Sequence, residues 1–165
     1  MIIGNGDIAS VLPEREDLMF FASGVSNSLE IRYEEFKREK DLLFEQDYDK
    51  HIVYFSTLSI FYKDSPYTRH KKKMEQYVRM FNHYTIVRLG NITWGKNPHT
   101  IINYFKNKIS ALEPIEIKDT FRYVVDKDEF LYWVGMIPAW NCEMNIPGKR
   151  MRVQEIVREI KEGKL

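Results

Sequence analysis

At 165 residues, with 44% hydrophobic and 30% charged side chains, the sequence has an ordinary soluble globular balance and suffices for one domain with a real core. Its net charge of +1 gives no field of one sign, so neither nucleic acid nor a membrane is an expected partner. A lone cysteine, Cys142, excludes an internal disulfide and fits a reducing, cytoplasmic setting.

In chain order, Met1-Ile2-Ile3 reads as a short strand stopped by Gly4, and Asp7 to Leu12 as about two helical turns before Pro13. Because Gly4 to Asp7 interrupt the apolar start, no signal peptide is expected, and no apolar run nears the roughly 20 residues of a membrane span. Leu18 to Ala22 is a continuous apolar run, suited to a strand buried on both faces, and Ser23 to Ser28 is a loop. Leu29, Tyr33, Phe36, Lys40 and Phe44 step at helical spacing, predicting an amphipathic helix with that stripe inward.

Ile52 to Phe55 is the next buried strand, ending in Ser56-Thr57. After the Asp64-Ser65-Pro66 turn, Tyr67 to Phe81 reads as a helix. Thr85 to Leu89 is a strand closed by Gly90-Asn91, and His99 to Ile109 a helix. Ile115 to Ile117 and Phe121 to Val125 read as short strands, and Asp126 to Ile137 and Val153 to Glu162 as helices. Strands separated by long helical stretches imply a mainly parallel sheet covered on both faces, so the expected class is α/β, a Rossmann-like three-layer sandwich. Ligands of such sheets bind beyond the carboxyl ends of the strands, which puts the weight on Gly4-Asn5-Gly6, Ala22-Ser23-Gly24, Ser56-Thr57 and Gly90-Asn91.

Gly4-Asn5-Gly6-Asp7-Ile8-Ala9 matches G-x-G-x-x-A after a strand and at a helix start. Its glycines permit close approach of backbone N–H groups to a pyrophosphate, and a helix N-terminus favours the negative charge. A turn serving only packing is the alternative. No acidic residue ends a second strand to hold a ribose, because only Leu12 to Asp17 separates the first helix from the next strand. The usual second and third strands are therefore expected to be missing.

Tyr67 and Lys71 stand at i and i+4, on one helix face. A nearby cation lowers a phenol's pKa toward useful acid/base values. Tyr33/Lys37, Tyr104/Lys108 and Tyr123/Lys127 share that spacing, but only Tyr67 follows a strand ending in Ser56-Thr57.

Tyr54 to Tyr62, Pro66-Tyr67 through Lys71 to Glu75, Arg88 to Gly95, Phe121 to Asp128 and Asn145 to Gly148, in that order, resemble successive segments of the extended short-chain dehydrogenase/reductases. These are NAD(P)-dependent epimerases and dehydratases acting mostly on nucleotide sugars. The resemblance implies a shortened member: one truncated domain over residues 1–165, with a reduced substrate-side region around 91–150. It makes Tyr67 the general acid/base, Lys71 the residue that lowers its pKa and holds the nicotinamide ribose, and Thr57 the partner of the reacting substrate oxygen. Ser56 is the adjacent fallback and Asn91 a further substrate contact. Phe20 to Gly24 falls where the family lines the nicotinamide.

NAD or NADP is thus the implied cofactor, bound by Gly4, Asn5, Gly6, Asp7, Ile8, Ala22, Ser23, Gly24 and Lys71, and the substrate is a nucleotide sugar or related hydroxyl or carbonyl compound. The alternative is a catalytically inactive nucleotide-binding or assembly protein. An exposed first strand as sheet edge would favour a homo-oligomer. The four histidines, His51, His70, His83 and His99, have no metal-ligand spacing, so no metal is expected.

Overall fold

The structure is a computed structural model describing residues 1–165. Its elements are β1 (Ile2–Ile3), a 3-10 turn (Ala9–Val11), β2 (Met19–Phe21), α1 (Tyr33–Phe44), β3 (His51–Thr57) and a second 3-10 turn (Leu58–Phe61). They continue with α2 (Pro66–Val78), β4 (His83–Leu89), β5 (Asn91–Ile92), α3 (Ile101–Ser110), β6 (Phe121–Val125), α4 (Lys127–Gly135), β7 (Cys142–Ile146), β8 (Lys149–Arg152) and α5 (Val153–Lys161).

The apolar runs pair in parallel as a sheet of order β1-β2-β3-β4-β7. Side chains alternate across a strand, so each run feeds two cores. Phe20, Val53, Phe55, Val87 and Leu89 face one way, onto Phe130 and Val134 of α4. Met19, Phe21, Ile52, Tyr54 and Ile86 face the other, onto Leu43 of α1 and Met74 and Val78 of α2. This is the α/β Rossmann-like sandwich expected, and β1 is its edge, with no second or third strand beyond it.

A smaller sheet, β5-β6-β8, pairs β5 with β6 in parallel and β6 with β8 antiparallel. It packs on α3 and α5 through Ile102, Phe105, Met151, Ile156 and Val157. No helix is long and apolar enough to cross a membrane.

Three expectations need correcting, and two strands lie outside them. The stretch after β1 is a three-residue 3-10 turn rather than two turns of α-helix. Helix α1 begins at Tyr33, and its inward face is Glu39 and Leu43, whereas Leu29, Tyr33 and Phe44 are exposed. Residues 115–117 form no strand; Ile115 packs on the α3/α5 core without pairing. Strands β7 and β8 were not anticipated, because an edge strand such as β7 alternates half-buried and exposed residues instead of presenting an apolar run.

Candidate active site

Helix α2 begins where local chemistry dictates. Ser65 Oγ accepts the Thr68 N–H at 3.2 Å, Thr68 Oγ1 accepts the Ser65 N–H at 2.9 Å, and Pro66 occupies the first turn. The cap puts Tyr67 at the carboxyl edge of the sheet, and the helical repeat turns Tyr67, Lys71, Met74, Glu75 and Val78 inward. Tyr67 thereby meets Thr57, the last residue of β3. Thr57 Oγ1 accepts the Ser59 N–H at 3.2 Å, which leaves its proton available to a ligand or to the phenol.

Beyond the carboxyl ends of β1 to β4 lies a cavity of about 990 Å3. Thr57, Tyr67, Lys71 and Asn91 line it, as do the Asn5–Ile8 turn and the Ala22–Gly24 segment. Segments far apart in sequence converge here because each follows a parallel strand.

The two glycines of the first turn do different things. Gly4 has φ +122°, and a Cβ there would come within 2.5 Å of the Ala22 carbonyl oxygen, so it is required by packing and does not line the cavity. A Cβ on Gly6 would meet nothing within 4 Å, so its backbone is open to the cavity. The N–H groups of Gly6, Asp7 and Ile8 have no acceptor within the chain and can serve an anion. The helix dipole expected to assist them is absent, since only a single 3-10 turn follows.

Asp7 offers the cavity its backbone and not its carboxylate. Oδ1 and Oδ2 accept the Lys96 and Asn97 N–H groups, both at 2.9 Å, and its carbonyl accepts Trp94 Nε1 at 3.0 Å. These bonds tie the first turn to the loop after β5.

Ser56, the fallback for Thr57, also lines the cavity, but its side chain falls on the other face of β3. Its hydroxyl donates to Glu75 Oε1 at 2.7 Å, and Arg88 grips Glu75 through Nε at 2.9 Å and Nη2 at 2.6 Å. Its proton is therefore committed to this buried network. Asn91 Nδ2 donates to the Tyr123 carbonyl at 2.9 Å, fastening β5 to β6, while its Oδ1 has no donor within the chain.

Lys71 is differently placed from the sequence expectation. Its Nζ lies 2.9 Å from Glu39 Oε1 and 3.0 Å from Tyr54 Oη, and 5.9 Å from the Tyr67 ring centre. Burial first, then the Glu39 charge, pushes the Tyr67 phenol above its ordinary value, with the Thr57 hydrogen bond opposing. The expected lowering of the Tyr67 pKa is thus not found: burial raises the phenol, and the Glu39 carboxylate beside Lys71 adds to that rise. Burial also pushes the Glu39 carboxyl up, but Lys71 and His70 outweigh it and hold it at about 2.

Glu39, Tyr54 and His70 were missed in the sequence. One signal was available for Glu39: it falls between Phe36 and Leu43 at helical spacing, a carboxylate inside an inward stripe.

No family model matches the sequence, and no curated protein matches it. Among solved structures, the Bordetella bronchiseptica enzyme WbmH in complex with NAD+ superposes with a TM-score of 0.69 at 13% identity, covering 88% of this chain and 57% of that one. The same organism's WbmG with NAD gives 0.66 at 14%, covering 89% and 56%. The UDP-glucose 4-epimerase of Thermus thermophilus in complex with NAD gives 0.65 at 14%, covering 90% and 62%.

The chain has the fold of these NAD-complexed enzymes. It spans between 56% and 62% of their lengths, so it carries one part of their architecture.

Proposed function

We propose that this chain is an NAD(P)-dependent oxidoreductase of the epimerase/dehydratase kind, acting on a nucleotide sugar or a related hydroxyl or carbonyl compound. The observation that carries the reading is the convergence of Thr57, Tyr67 and Lys71 on the same cavity as the open Gly6–Ile8 turn. The fit to a dinucleotide rests on the space above Gly6 and on three N–H groups without partners. Those groups would hold its pyrophosphate, the Ala22–Gly24 segment would flank its nicotinamide, and Lys71 would reach the adjoining ribose. When bound, NAD or NADP supplies the hydride acceptor or donor.

Tyr67 Oη, its phenol raised above the ordinary value by burial, gives its proton to a substrate carbonyl oxygen, and the phenolate so formed takes the proton back from a hydroxyl in the reverse direction. Thr57 donates a hydrogen bond to the same oxygen and fixes its position. Asn91, through its free Oδ1, binds a substrate donor. The nucleotide-sugar class is supported by WbmG, whose structure has also been solved in complex with NAD and UDP. A cytoplasmic location is supported by the single cysteine, and homo-oligomer formation by the exposed β1 edge.

Turnover of UDP-sugars with NAD+ or NADP+, compared between wild type and Tyr67→Phe, tests the reading. Turnover lost in a variant that still binds cofactor supports it; equal turnover removes Tyr67 from the mechanism.

A second reading, a nucleotide-binding or assembly protein without turnover, is favoured by the Lys71–Glu39 pair and by the missing strands beyond β1. Dinucleotide binding with no turnover on any sugar nucleotide selects this second reading.

A further inference from the structure

Glu39 is fully buried, and the proposed chemistry gives it no role. Its carboxylate has a complete set of donors. Oε1 accepts from Tyr54 Oη at 2.6 Å and Lys71 Nζ at 2.9 Å; Oε2 accepts from the Val25 N–H at 2.8 Å and His70 Nε2 at 2.9 Å. These donors come from β3, from α2 twice, and from the segment after β2. A carboxylate serving only to neutralise a lysine would need one of them.

The fourth side of this cluster is backbone. A Cβ on Gly24 would lie 2.6 Å from Lys71 Nζ and 2.9 Å from Glu39 Oε1, so only glycine lets that segment close over the pair. Gly24, Val25 and Lys71 all line the cavity. Glu39 therefore reaches the cavity wall through two separate routes without lining it.

Resting on the function proposed above, we propose that Glu39 is a positioning residue: it binds Lys71, Tyr54 and the Gly24–Val25 segment into one buried unit and sets the charge experienced at Tyr67. The charged and titratable groups around the phenol are Lys71 on its own helix, Glu39 across from it, Tyr54 behind the pair and Tyr62 from the preceding loop. Burial first, with the Glu39 charge added to it, holds the Tyr67 phenol above its ordinary value, so it enters as a proton donor. Ligand contact with the third Lys71 N–H then acts on a lysine already fixed in place.

The test is an NMR titration of the full chain labelled with 13Cζ-tyrosine, with Tyr67 assigned by Tyr67→Phe. In the wild type, the Tyr67 midpoint is expected above the ordinary value of about 10. Glu39→Gln removes the charge with little change of shape and is expected to lower that midpoint by about one pH unit or more, and Glu39→Asp to restore it in part. An unmoved Tyr67 resonance in a folded Glu39→Gln protein overturns the proposal. Should Glu39→Gln fail to fold, the wild type decides: a midpoint at or below about 10 overturns it equally. Failure of the proposed function is read separately, because a chain without turnover that shows the shift keeps Glu39 in its role and loses only the reaction.

Discussion

Lys71 Nζ sits 2.9 Å from Glu39 Oε1, with the lysine side chain 3% exposed and the carboxylate 0%. Removing one member of such a pair strands the other charge in the interior, which costs about 3–5 kcal/mol. Lys71→Met is therefore expected to lower the urea unfolding free energy by that order, besides any effect on ligands. Equilibrium urea denaturation followed by tryptophan fluorescence checks this. An unchanged midpoint would show that Lys71 and Glu39 are not joined in solution.

The same pair gives stability a pH dependence. The folded Glu39 pKa, about 2, lies below its ordinary 4.5, so the unfolded chain binds a proton that the folded one refuses. Its contribution is complete above the ordinary value and is lost as pH falls from there towards 2. Urea midpoints at about pH 7 and about pH 3 should differ in that direction. Glu39→Gln should be less stable at neutral pH and show a shallower fall; a slope as steep as the wild type's would assign the acid sensitivity elsewhere.

Asp7 and Gly95 set the approach of the first turn to the loop after β5. Gly95 has φ +91°, and a Cβ there would fall 2.0 Å from Asp7 Cγ. Gly95→Ala must displace Asp7 and adopt a backbone conformation disfavoured for alanine, costing about 1–3 kcal/mol. A depressed thermal midpoint is expected. Asp7→Ala should lose the ties to Lys96 and Asn97 without that strain, so a double variant less destabilised than the sum of the two singles confirms that they meet.

Thr57 and Tyr67 should separate in kinetics. Tyr67→Phe removes the proton carrier, and general acid/base catalysis is worth about 10²–10⁴-fold. Thr57→Val keeps the shape and loses only the hydrogen bond to the reacting oxygen, so a smaller fall confined to kcat is expected. A Thr57→Val effect on KM alone would make Thr57 a binding residue.

Most of the sheet was readable because β2, β3 and β4 are apolar runs buried on both faces, and the Ser65–Thr68 cap with Pro66 announces α2. The order of small and polar residues after each strand located the cavity. What escaped was written in weaker signals. Strand β7 pairs on one side only, and β8 buries only Met151, so neither needs an apolar sequence. Helix α1 carries a charged residue on its inward face, which periodicity of apolar residues assigns to solvent. The Glu39 charge that adds to burial at Tyr67 comes from a residue 28 positions earlier in sequence, brought near only by folding. Spacing within one helix gives the proximity of Tyr67 and Lys71, but not the burial and the Glu39 charge that together raise the phenol.

On the proposed function, the cavity at the carboxyl ends of the parallel strands takes a dinucleotide over the Gly6–Ile8 turn. Titration calorimetry with NAD+, NADH, NADP+ and NADPH, on wild type and Gly6→Val, tests it most directly. A valine at Gly6 meets no protein atom within 4 Å at its Cβ, so it should fold normally while filling the space above the turn. Saturable binding of at least one dinucleotide is expected, with a dissociation constant of about 1 mM or less, weakened about tenfold or more in Gly6→Val. No saturable heat from any of the four, or equal binding by the two proteins, would contradict it.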